Sequence, residues 1–142
     1  MSSEQNKAVV RRSFDEPWKG NLGVVDELVA SDYVGHDPAL PEPLRGPEGL
    51  KDFIATYLVA FPDARMTVTM QLAEGDLVAT SWVGRGTHEG DLMDVEPTGR
   101  KVTVTGLTIS RLEDGKIAEE FRNWDFYGMI RQVEGASARV RA

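Results

Sequence analysis

"ARMTVTMQLAEGDLVATSWVGRGTHEG", residues 64–90, decides the fold. Its apolar residues recur every second position, the period of a half-buried strand. Met66, Val68, Met70 and Leu72 are assigned to one face, Thr67, Thr69 and Gln71 to the other. Glu74-Gly75-Asp76 turns the chain into a second strand. Gly84 and Gly86 weaken that strand and suit a bend or bulge that curves a sheet. Downstream, "KVTVTGLTISRLEDGKIAEEFRNWDF" (101–126) repeats the pattern around Glu113-Asp114-Gly115, a second hairpin. "DLMDVEPTGR" (91–100) connects the two.

Upstream the period changes to that of helices. "SEQNKAVVRRSF" starts at a capping serine and predicts a helix over 4–14, with a kinked extension toward Trp18 beyond Pro17. Asn21 is a cap for a second helix whose Leu22, Val25, Leu28 and Val29 share a face. Tyr33 to His36 reads as a short strand, followed by a loop rich in Pro and Gly. Pro47 opens a third helix that ends at Pro62, with Leu50, Phe53, Ile54, Tyr57 and Leu58 on one face. A last helix is expected over 126–133. Helices first and strands later mark an α+β domain, helices laid on one face of a curved antiparallel sheet. Residues 1–134 are assigned to this single domain and 135–142 to a flexible tail.

At 142 residues the chain suits one domain with its own core. Twenty-three acidic against sixteen basic residues give a net charge of -7, and no basic stripe offsets it, so nucleic acid is excluded as a partner. No apolar run is long enough to span a bilayer, and the first residues do not read as a secretory signal. There is no cysteine, hence no disulfide or thiolate chemistry, which fits a cytoplasmic protein. The only histidines, His36 and His88, have no recurring metal spacing, and no Gly-rich dinucleotide loop follows a strand. Neither metal nor cofactor is therefore expected.

"FRNWDFYGMIRQ" (121–132) sets one acid, Asp125, among Trp124, Phe126 and Tyr127. Two readings stand. Asp125 is the N-cap of the last helix, accepting from the backbone of Tyr127 or Gly128, or it is an acid/base group in an apolar pocket. Arg122 has the opposite strand parity, and pairs at the surface with an acid such as Glu120 or holds a substrate oxygen inside. His36 is preferred to His88 as a substrate contact. Phe14, Trp18, Phe53, Tyr57, Trp82 and Trp124 supply aromatic area for a core and for a slot that takes a flat ring system.

Four segments in order carry a resemblance: "NKAVVRRSFDEPWKGNLGVVDELVASDYVGHDP", "GPEGLKDFIATYLVAFPDARMTV", "GTHEGDLMDVEPTGRKVTVTGLTISRLEDGKI" and "WDFYGMIRQ". Together they resemble the SnoaL-like polyketide cyclase family of the nuclear transport factor 2-like superfamily. The resemblance implies a cone-shaped α+β barrel, often dimeric, and cofactor-free intramolecular aldol closure of an aromatic polyketide. It implies the acid/base role for Asp125. Where many members carry His-Trp in the last strand, this chain has Glu120-Phe121. Two other readings are a cofactor-free component of anthracycline-type polyketide hydroxylation and a noncatalytic small-molecule-binding or dimerisation module. A homodimer packed through the outer face of the sheet, around Thr67, Thr69 and Val83, is expected.

Overall fold

A computed structural model describes residues 2–135; the expected tail from 136 onward lies outside the described residues. The chain runs α1 (Ser3–Ser13), two 3-10 turns (Pro17–Lys19, Leu22–Val24), α2 (Val25–Leu28), β1 (Val29–His36), β2 (Leu44–Arg45) and α3 (Gly46–Ala60). β3 (Arg65–Glu74), β4 (Leu77–Thr87), β5 (Lys101–Glu113), β6 (Lys116–Trp124) and α4 (Phe126–Glu134) follow. One sheet holds all six strands in the order β2-β1-β6-β5-β4-β3.

Local chemistry accounts for the helices. Ser2 caps α1 in a reciprocal capping box with Gln5. α3 carries Pro47 in its first turn, where a missing N–H costs nothing. Val10, Leu28, Leu50 and Ile54 from the helices meet Val78, Trp82, Leu112 and Ile117 of the sheet in one buried cluster. Tyr57, Phe61, Leu92, Val102, Met129 and Val133 form a second cluster at the α4 end.

Three expectations are corrected. The sheet is curved but unclosed, and it is mixed rather than wholly antiparallel: β1 runs parallel to β6, pairing His36 with Phe121. The second helix shrinks to a 3-10 turn and one α-turn, because Val29, placed on its face by spacing, opens β1 instead. β3 breaks step. Val68 pairs with Trp82 and Met70 with Ser81, so Thr69 is an extra residue on β3. The bulge reverses the strand's parity. Met66 and Val68 pack against the core, whereas Met70 and Leu72 are 59% and 65% exposed. Gln71 turns inward, donating to the Lys7 carbonyl and the Thr80 hydroxyl.

Candidate active site

Helices α1 and α3 cover the concave face of the sheet without filling it. The space between them is an open-mouthed, mostly apolar cavity. All six aromatic positions expected from the sequence line it: Phe14, Trp18, Phe53, Tyr57, Trp82 and Trp124. Helical spacing on α3 and strand parity on β4 and β6 turn these rings inward. Leu50, Ile54, Met66, Val104 and Met129 fill the gaps between rings. Trp82 is held by its indole N–H, which donates to Thr108 Oγ1 at 3.0 Å. Tyr57 lies edge-on to Trp124, with ring centroids 5.7 Å apart.

One end of this apolar cavity is charged. Alternation along β6 points Glu120, Arg122 and Trp124 inward and Phe121 and Asn123 outward. Arg122 is therefore not a surface residue. It is buried at the cavity wall with its guanidinium over the Phe53 ring, 5.0 Å from the centroid. Burial works against its charge, and Tyr33, Glu120 and Asp37 outweigh that, so the guanidinium is held protonated. Its hydrogen bonding is sparse. Nη2 donates to Glu120 Oε1 at 3.4 Å, Asp37 Oδ2 stands 4.0 Å from Nη1, and among the described residues Nη1 has no hydrogen-bond partner. An unpaired N–H on a buried cation is costly, and an incoming oxygen would satisfy it.

Among the described residues Glu120 is the one carboxylate in the cavity lining. Three donors reach it: Tyr33 Oη at 2.8 Å and Arg122 Nη2 on Oε1, and Ser110 Oγ at 2.7 Å on Oε2. Tyr33 is buried, and desolvation followed by the Glu120 charge pushes its phenol well above the usual tyrosine range. Burial, with Asp37 adding to it, does the same for Tyr57. Both phenols stay protonated, and Tyr33 donates to Glu120.

Asp125 sits elsewhere. It is exposed, it is absent from the lining, and its Oδ1 accepts from Gly128 N at 2.9 Å as the N-cap of α4. Of its two sequence readings, the geometry bears the cap; its position after Trp124 gives it the outward parity. His36 also faces away: Nε2 pairs with Glu119 Oε2 at 2.8 Å and its ring stacks on Phe121. His88 is fully buried outside the lining, with Nδ1 accepting from Thr98 N at 3.2 Å. Tyr33, Asp37, Ser110 and Glu120 were not singled out as site residues by sequence. A usable signal for Glu120 was its parity with Arg122 and Trp124. Among the described residues no group of three or more His, Cys, Asp or Glu is arranged to hold a metal, and no helix is long and apolar enough to cross a membrane.

Comparison with known proteins agrees with this architecture. A family model described as SnoaL-like polyketide cyclase matches residues 8–133. The aklanonic acid methyl ester cyclase DnrD of Streptomyces peucetius is 28% identical over 132 residues, covering 88% of each chain. The nogalonic acid methyl ester cyclase of Streptomyces nogalater is 30% identical over 118 residues, covering 80% of this chain and 86% of its own. The crystal structure of wild-type IdmH from Streptomyces antibioticus superposes with a TM-score of 0.78 at 34% identity, over 95% of this chain and 100% of that one.

Proposed function

Because the chain belongs to the SnoaL-like polyketide cyclase family, we propose that its cavity closes a ring of an aromatic polyketide by intramolecular aldol addition. The aromatic walls hold the flat part of the substrate. A methylene flanked by two carbonyls, brought to the charged end, loses one proton to Glu120, and the enolate oxygen rests on Arg122 Nη1. The enolate carbon then bonds to a second carbonyl carbon of the same molecule, and the new alkoxide takes the proton back from Glu120. Site charge is conserved, because the carboxylate becomes neutral as the enolate forms. A doubly activated methylene needs no metal or redox group for this step, and positioned acid/base catalysis contributes about a hundred- to ten-thousand-fold.

The observation that carries the reading is the buried Arg122 with an unpartnered Nη1 at the polar end of an aromatic cavity. Aklanonic and nogalonic acid methyl esters, named for the relatives, are the substrates to try. Glu120→Gln should keep the fold and ligand binding and lower turnover about a hundredfold. Arg122→Met should lower turnover as well. Undiminished turnover by a folded Glu120→Gln variant refutes the assignment. A homodimer through the outer face of the sheet belongs to the same reading. Its support is a row of laterally paired residues, Phe121, Ile109, Ala79 and Leu72, of which the three large ones are exposed. A sedimentation coefficient of a monomer at micromolar concentration would exclude it.

A further inference from the structure

We propose that Asp37, which does not touch the cavity, is the positioning residue that sets its Trp124 wall. The inference rests on reading this cavity as the substrate site. Parallel pairing of β1 with β6 brings His36 opposite Phe121, and Asp37, the next residue, reaches the inner end of β6. Its carboxylate is buried, with 1% of the side chain exposed, and both oxygens are committed. Oδ1 accepts from Ala39 N at 2.9 Å, tying down the start of the Pro-rich loop. Oδ2 accepts from the Trp124 indole N–H at 3.0 Å and faces Arg122 Nη1 at 4.0 Å.

The Trp124 side chain has no other hydrogen bond among the described residues; its ring contacts are the edge-on rings of Tyr57 and Phe126. Such ring contacts resist tilting but do not choose a direction along the ring plane; the indole N–H bond does. Asp37 thus serves a main-chain donor with one oxygen and the cavity wall with the other.

This arrangement makes Asp37→Ala a sharp test. Asparagine would not serve, because its amide oxygen can turn to the Trp124 indole and keep that bond while its NH2 meets Ala39 N–H; alanine removes both acceptors. All three tryptophans, Trp18, Trp82 and Trp124, line the cavity, so quenching of their emission by 1,8-dihydroxyanthraquinone reports occupancy. Asp37→Ala should weaken that binding about tenfold. In a Trp124→Phe background, with no indole N–H to hold, the same change should cost threefold or less, and thermal unfolding should shift less than in the wild-type background, where the indole N–H loses its acceptor. Binding by Asp37→Ala equal to wild type overturns the proposal, and so does a tenfold loss that persists undiminished beside Trp124→Phe. If wild type is quenched and Arg122→Met is not, while Asp37→Ala binds normally, the positioning role falls and the cavity reading stands. If the wild-type protein is not quenched, both fall.

Discussion

Gly106→Ala is a single methyl addition whose cost follows from where Trp82 lies. β5 pairs Gly106 with Trp82 of β4 on one side and Trp124 of β6 on the other. A Cβ at position 106 would fall 2.7 Å from Trp82 Cη2 and closer still to Cζ2. The ring is rigid and buried, so it must leave its seat. Overpacking of this kind costs about 1–3 kcal/mol. Displacing the ring also breaks the buried bond from Trp82 Nε1 to Thr108 Oγ1, a further loss of about 1 kcal/mol. The sum, about 2–4 kcal/mol, corresponds to a fall in melting temperature on the order of 10 °C for a domain of this size. Thermal and denaturant unfolding followed by circular dichroism measure it. Gly23→Ala is the control, because nothing lies within 4 Å of a Cβ there, and it should stay within about 0.5 kcal/mol of wild type. Trp82→Phe, which shortens the ring, should restore part of the stability lost by Gly106→Ala. A Gly106→Ala protein that melts within about 2 °C of wild type would refute the claim that the ring seat is rigid.

Two further outcomes are expected. Asparagine caps a helix about as well as aspartate, so Asp125→Asn should leave stability and turnover near wild type, and Asp125→Ala should cost about 1 kcal/mol in an unfolding experiment; a hundredfold loss of turnover in folded Asp125→Asn would return the acid/base role to this residue. The buried Tyr33 phenol, raised by desolvation and then by Glu120, favours the fold in its protonated form. Its contribution is complete below the unfolded tyrosine value of about 10 and is lost as pH rises above it. Tyr33→Phe should flatten the decline of the denaturant midpoint between about pH 9 and 11, with Tyr57 retaining a share of the slope; an unchanged slope would show that the phenol does not couple to folding.

The aromatic lining was legible because it rests on local periodicity. Spacing on α3 turns Phe53 and Tyr57 inward, and parity on β4 and β6 does so for Trp82 and Trp124. The charged end was not, because it is assembled across the chain: Tyr33 and Asp37 reach Glu120 and Trp124 from positions 87 residues earlier. The parallel β1–β6 pairing that joins them has no turn to announce it. Asp125 drew attention through its aromatic neighbours, yet a residue adjacent to inward-facing Trp124 points away from it. Arg122 was weighed as a surface ion pair with an acid such as Glu120; that pair forms on β6 but faces inward, where Tyr33 of β1 and Asp37 just beyond it complete the charged end. Met70 and Leu72 were assigned the face of Met66 because simple alternation carries no sign of an inserted residue.

That inserted residue, Thr69, divides β3 into two segments with independent duties. Met66, before it, answers to the cavity; Gln71, after it, answers to α1 through the Lys7 carbonyl. The break is thus a movable stop. Sliding it two residues toward Glu74 would keep Met70 in the inward frame, beneath α1, and take Gln71 off the Lys7 carbonyl. The shift alters neither strand order nor chain length, so a cyclase of this build can exchange what this edge strand offers α1 while Met66 keeps its place at the cavity wall.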